Sequence, residues 1–188
     1  FSRPALAGSH QLRNAGLAIA ALDRLEGFAV PDSAIALGLK SVDWPARLQR
    51  LKRGPLVDLL PEGWELWLDG GHNPDAGKAL AAHAREWSDR PLHLVIAMME
   101  TKDRAGFLRP LAEVAERVRC VAIPNQKASL GAIELAAAAR AVGMDAEPAS
   151  DLDEALGMLA GGGDKPARVL ICGALYFAGA ALGEDCRN

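Results

Sequence analysis

The chain is poor in aromatics, in cysteine and in net charge, and each shortage removes a class of function. Aromatic residues make up 5% of its 188 residues, with a single tyrosine, and the formal net charge is -3. No block of lysine or arginine occurs, so the sequence carries no electrostatic footprint for a nucleic acid. The longest apolar stretches, 135–139 and 169–175, fall far short of the ~20 residues that a helix needs to cross a bilayer. Cys120, Cys172 and Cys186 are scattered, with no metal-ligand spacing, and read as reduced thiols of a cytoplasmic protein. The N-terminus has no basic segment leading into an apolar one, so no signal peptide is expected. Two glycine motifs that cradle phosphates are also missing: no GxGxxG follows a strand, and no GxxxxGK[ST] occurs anywhere.

Half of the residues are hydrophobic, enough to bury a core. Ser9 is placed to cap a helix running to about Leu25, with Leu12, Ala15, Ile19, Leu22 and Leu25 at helical spacing. A second helix is expected after Pro31 and Asp32. Pro45 then biases Trp44 towards an extended conformation, and the break predicts a domain boundary. Residues 1–42 read as the closing helices of one domain, and 43–188 as a complete second one. Beyond the break, candidate strands at 47–52, 65–68, 92–98, 118–123 and 169–172 alternate with candidate helices. Those helices are expected at 74–87, 104–117, 132–142, 152–159 and 174–182. The runs 92–97, apart from His93, and 169–172 are continuously apolar, as expected of strands covered on both faces. The pattern predicts an α/β fold: a three-layer, mostly parallel, Rossmann-like sheet, with 47–52 as an antiparallel edge or hairpin strand.

The most informative segment is Leu66-Trp67-Leu68-Asp69-Gly70-Gly71-His72-Asn73-Pro74. An apolar strand ends at an acid, crosses two glycines, presents a histidine and enters a helix. Pro74 suits the first helical position, where its missing N–H has no intrahelical partner. Asn73 can cap the same helix. Asp69 and His72 therefore fall at the carboxyl end of a strand beside a helix N-terminus, where open α/β sheets bind phosphorylated ligands. The plain alternative is an Asp-Gly turn between core elements.

The ordered set His10-Gln11-x-x-Asn14-Ala15, Trp44-Pro45-Ala46-Arg47-Leu48-Gln49 and Asp69-Gly70-Gly71-His72-Asn73-Pro74 resembles the C-terminal part of folylpolyglutamate synthase / dihydrofolate synthase. That family belongs to the Mur ligase superfamily. Weaker matches follow in the family's order at Met98-Met99-Glu100-Thr101-Lys102-Asp103 and Cys172-Gly173-Ala174-Leu175-Tyr176. The resemblance implies an ATP-dependent ligase that phosphorylates a carboxylate of dihydropteroate or a folate. The amine of L-glutamate then attacks the acyl phosphate. It also implies that the P-loop and the Mg2+ ligands belong to a preceding part of the enzyme. This chain alone is then expected to be inactive, and the full-length enzyme to be a monomer.

Carried over by the resemblance, Asn14 meets the adenine edge, Arg47 reaches the nucleotide phosphates and Asp69 lies near the ribose and phosphates. His72, the catalytic candidate, lies close to the transferring phosphoryl group. Without the resemblance, Asn14 reads as a polar residue on a solvated helix face, Arg47 as a surface arginine and His72 as a loop histidine. Lys102 and Asp103 fall just past a strand and could line the substrate side of the cleft, or form an ion pair before a helix. His83, His93 and Tyr176 receive no chemistry. Three positions depart from the family pattern: Gly71 where alanine is common, Ala46 where glycine is common, and Ala174 where serine is common. The last removes a hydroxyl and weakens any role of that position in binding glutamate. Two other readings stand beside this one: a Mur-type ligase for peptidoglycan precursors, lacking here its Asp-Asn-Pro-Arg signature, and a stand-alone α/β nucleotide-binding module.

Overall fold

A computed structural model describes residues 1, 3–162 and 165–185, so Cys186 lies outside the described residues. Two helices come first, α1 (His10–Leu22) and α2 (Asp32–Ser41). Ser9 precedes α1 but makes no side-chain cap, because its backbone is already helical. The expected capping is therefore not formed, and α1 ends three residues before Leu25.

The rest is built from β1 (Gln49–Leu51), α3 (Pro55–Asp58), β2 (Glu65–Leu68), α4 (Pro74–Ala84), β3 (Leu92–Ile96) and α5 (Arg104–Leu111). Then come β4 (Arg117–Cys120), α6 (Ala132–Ala141), β5 (Ala146–Pro148), α7 (Leu152–Ala160), β6 (Arg168–Cys172) and α8 (Leu175–Asp185). One sheet runs β1-β2-β6-β3-β4-β5. The edge strand β1 pairs antiparallel with β2, and every other pairing is parallel. The expected three-layer α/β architecture is what forms.

Every residue of β3 and β6 is buried. Leu94, Ile96 and Leu170 face one core, with α4, α5 and α6 against it. Val95, Val169 and Ile171 face the other, with α3, α7 and α8 against it. Alternation across the pleat thus feeds two cores, which is why these strands show no polar alternation. The pair α4–α5 is unusually close. A Cβ on Gly77 would stand 2.4 Å from the Phe107 carbonyl oxygen, so only glycine fits there. Cys120 and Cys172 are buried free thiols, and burial pushes the Cys120 thiol up to about 12.

Two expectations are corrected, and two elements are added. The helix expected over 104–117 stops at Leu111, and Arg117 instead opens β4. The Glu116 N–H already bonds the Leu92 carbonyl to start the parallel pairing. The strand expected over 47–52 is shorter, because Ala46 (φ 58°) and Leu48 (φ 44°) adopt left-handed backbone incompatible with extension. The short helix α3 and the strand β5 were not expected. Each has too few residues for a period, and Pro148 argues against any but an edge strand, which β5 is.

Candidate functional site

The loop after β2 lies against the end of β6. The Asp69 N–H bonds the Ile171 carbonyl, and the Gly173 N–H bonds the Gly71 carbonyl. Gly173 adopts φ 104°, and a Cβ there would stand 2.5 Å from the Ala97 carbonyl oxygen. Neither the conformation nor the space admits another residue. Asn73 caps α4 as its sequence position suggests, accepting from the Ala76 N–H at 2.9 Å, with Pro74 at the first helical position.

Asp69 fastens two loops together. Its Oδ2 accepts from the Leu48 N–H at 2.9 Å and its Oδ1 from the Gly71 N–H at 2.7 Å. The Gly70 N–H bonds the Ala46 carbonyl between them. The left-handed residues Ala46 and Leu48 are thus clamped onto the loop that carries His72, with Arg47 at the crest. Asp69 is 5% exposed. Burial raises its carboxyl above the ordinary value, while the two N–H bonds, the Arg47 guanidinium and His10 pull it down.

Arg47 returns one bond to its own neighbour, Nη1 to the Ala46 carbonyl at 3.0 Å, which leaves most of its planar fork free. A Cβ on Gly70 would stand 3.2 Å from that nitrogen and 2.9 Å from a Leu175 methyl, so glycine makes room for the guanidinium. The His72 Nδ1 lies 3.0 Å from the Gly70 carbonyl oxygen and must therefore carry the proton it donates. Nε2 is the ring atom left for a ligand.

The α1 residues complete the arrangement. The Asn14 Nδ2 donates to the Gln11 Oε1 at 3.0 Å, and the Gln11 Nε2 bonds the His10 Nε2 at 2.9 Å. His10, Gln11, Asn14, Arg47, Asp69 and His72 line one cavity of about 180 Å³. Three distant segments converge on it, and four of the sequence-derived candidates meet there. Burial lowers the His10 imidazole below its ordinary value, against the attraction of Asp69. His10 and Gln11 were part of the motif but had no assigned role; the signal for them was their position one turn before Asn14.

Lys102 and Asp103 are not brought to this cavity. Asp103 instead caps α5, accepting from the Gly106 N–H at 2.9 Å. Among the described residues, no group of three or more His, Cys, Asp or Glu side chains could hold a metal ion. No helix among them is long and apolar enough to cross a membrane.

A second polar cluster sits at the opposite, amino-terminal edge of the parallel strands. Arg168 pairs with Glu65 at 2.7 Å and lies 4.5 Å from the centre of the Trp87 ring. Burial alone would raise the Glu65 carboxyl, but the Arg168 guanidinium and the Trp67 indole hold it below the ordinary value. His93 stacks at a tilt on Trp64, and His83 meets Trp87 edge-on. These residues lie away from the cavity and serve packing.

The sequence profile of the Mur ligase, glutamate ligase domain matches residues 50–175. A probable bifunctional folylpolyglutamate synthase/dihydropteroate synthase of Haloferax volcanii is 37% identical over 117 residues, which are 62% of this chain and 13% of that protein. The dihydrofolate synthase/folylpolyglutamate synthase of Bacillus subtilis is 28% identical over 132 residues, 68% of this chain and 29% of that one. Among solved structures, Mycobacterium tuberculosis folylpolyglutamate synthase complexed with ADP and AMPPCP superimposes with a TM-score of 0.81 at 27% identity. That match covers 98% of this chain and 42% of the other. The chain thus spans less than half the length of these relatives. With the domain profile matched over most of its sheet and the fold shared throughout, this chain belongs to the Mur ligase family, in which it carries the glutamate ligase domain.

Proposed function

We propose that this chain is the C-terminal part of an ATP-dependent ligase that joins L-glutamate to dihydropteroate or a folate. The observation that carries the reading is the convergence of Asn14, Arg47, Asp69 and His72 on one cavity at the carboxyl edge of the sheet. Residues 1–42 are then the last helices of the preceding ATP-binding domain, and 43–188 the glutamate ligase domain. The apolar side chains left exposed on and beside α1 and α2 (Leu17, Phe28, Leu37) support a covering partner domain. On this reading the phosphate cradle and the Mg2+ ligands belong to that preceding part. ATP supplies the phosphoryl group that activates the carboxylate, and magnesium offsets its charge.

This chain's own residues then bind and orient. Asn14 reads the adenine edge through its donor and acceptor. Arg47 lays a planar, permanently charged fork on the phosphates. His72 keeps its Nδ1–H on the Gly70 carbonyl and, as the imidazolium, donates from Nε2 to the transferring phosphoryl oxygens. Asp69 holds the Arg47 turn and the His72 loop in one arrangement. The pterin substrate is held mostly by the preceding part, Lys102 and Asp103 line the substrate side of the cleft, and the enzyme works in the cytoplasm. The Arg47→Ala variant of the full-length enzyme tests the reading. Its kcat/KM for ATP is expected to fall about a hundredfold, the effect of removing one donor to a developing charge. An unchanged value would remove Arg47, and with it the closure of this domain on the nucleotide.

A further inference from the structure

Reading adenine places a demand on Asn14 that it cannot meet alone. A side-chain amide has a donor edge and an acceptor edge, and a half-turn about its last bond exchanges them. One orientation complements adenine, whose 6-amino group donates beside a ring-nitrogen acceptor. The other complements a 6-oxo purine, whose carbonyl accepts beside an N–H donor. An amide free to turn would read both.

In this structure Gln11 holds one end of the exposed Asn14 amide. Gln11 is 4% exposed, so its own amide has no bulk water to rotate towards. Its Nε2, which can only donate, faces the His10 Nε2 at 2.9 Å. That ring nitrogen accepts in the neutral tautomer whose proton sits on Nδ1, an atom buried without a hydrogen-bond partner. Burial favours that neutral form. With Nε2 committed to His10, the Gln11 Oε1 faces Asn14, which answers with Nδ2 at 3.0 Å. The Asn14 Oδ1 and its second N–H are left to the cavity that both residues line. The row runs in one direction, from the Asn14 Nδ2 to Gln11 and from the Gln11 Nε2 to His10.

We infer that Gln11 is a positioning residue that fixes the polarity of the Asn14 amide and so sets a preference for 6-amino over 6-oxo purine nucleotides. The inference rests on the adenine contact proposed above. It gives the second residue of the His10-Gln11-x-x-Asn14 motif a task distinct from packing: Gln11 touches no nucleotide and acts through Asn14.

The test compares ATP with inosine triphosphate as substrates of the full-length ligase. The native enzyme is expected to favour ATP in kcat/KM by about tenfold or more, because a site built for one hydrogen-bond pattern leaves buried groups unpaired with the other. Gln11→Met, of similar length and without polar atoms, is expected to narrow the ratio to about threefold or less. It does so by raising KM for ATP with kcat retained. Gln11→Glu still accepts from the Asn14 Nδ2 and keeps the preference. A Gln11→Met enzyme as selective as the native one, or a Gln11→Glu enzyme as unselective as Gln11→Met, overturns the inference. The native enzyme alone also decides: equal use of the two nucleotides overturns the inference even if Gln11→Met fails to fold. Asn14→Ala separates the two levels. Loss of the preference in that variant supports the adenine contact, and full retention overturns the contact together with the inference.

Discussion

Replacing Asp69 with alanine is expected to loosen the site and lower the stability of the domain together. The carboxylate is the acceptor for two buried backbone N–H groups, Leu48 at 2.9 Å and Gly71 at 2.7 Å. Alanine leaves both without a partner, at about 1–3 kcal/mol each. Relief from burying a charge offsets part of this, since burial is the largest influence on the Asp69 carboxyl. The backbone strain stored at Ala46 and Leu48, of the order of 1 kcal/mol per left-handed residue, is also released as the turn relaxes. A net loss of about 2 kcal/mol remains, which is roughly 4–8 °C in Tm for a domain of this size. The sign of the pH dependence follows from the same burial. The folded carboxyl titrates above its ordinary value of 3.8, so the fold favours the protonated form. The native advantage over the variant is therefore fullest below 3.8 and shrinks as pH rises through the raised value. Urea unfolding of both proteins across that range measures the gap, and amide exchange at Leu48 and Gly71 reports the freed N–H groups. A variant as stable as the native chain, with both amides still protected, would refute the role of Asp69 as the fastening between the two loops.

Other perturbations have outcomes set by the packing and the charge clusters. Gly77→Ala forces a methyl against the Phe107 backbone and is expected to destabilise by about 1–3 kcal/mol despite alanine's better helix propensity, as urea titration would show. Glu65→Ala leaves the 6% exposed Arg168 short of its closest counter-charge and is expected to cost about 3–5 kcal/mol; a loss below 1 kcal/mol by calorimetry would contradict that pairing. Burial lowers His10, His83 and His93 below 6.5 in the fold. Their contribution to stability is complete above 6.5 and is lost as pH falls through the lowered values, so the urea midpoint should drop between about pH 7.5 and about pH 5. A flat profile would place these rings in water.

Much of this molecule is legible in its sequence, and the boundary has physical causes. The strands β3 and β6 announce themselves because burial on two faces demands mostly apolar runs, in which His93 and Arg168 are the polar members. Asn73 and Pro74 mark the start of α4 because a helix N-terminus has few chemical solutions. The sequence places Arg47 at a strand start, since nothing in Ala46-Arg47-Leu48 signals left-handed backbone. The reason lies in Asp69, over twenty positions away, which clamps that turn from the side. The same contact explains why glycine suits position 46, where φ is 58°. Lys102 and Asp103 follow a strand and precede a helix, a position that suits a cleft lining and a helix start alike, and Asp103 caps α5. The bond from Gln11 to Asn14 follows from helical spacing alone, whereas the polarity of that bond depends on a ring nitrogen of His10 and needed the three-dimensional arrangement.

ADP release by the full-length enzyme decides whether this cavity belongs to a glutamate-adding ligase. The assay pairs dihydropteroate and tetrahydrofolate, each with and without L-glutamate, and repeats the set with His72→Ala. Turnover is expected to require both glutamate and a pterin substrate and to fall by orders of magnitude in the variant. Turnover without a pterin, or a variant as fast as its parent, would contradict that assignment.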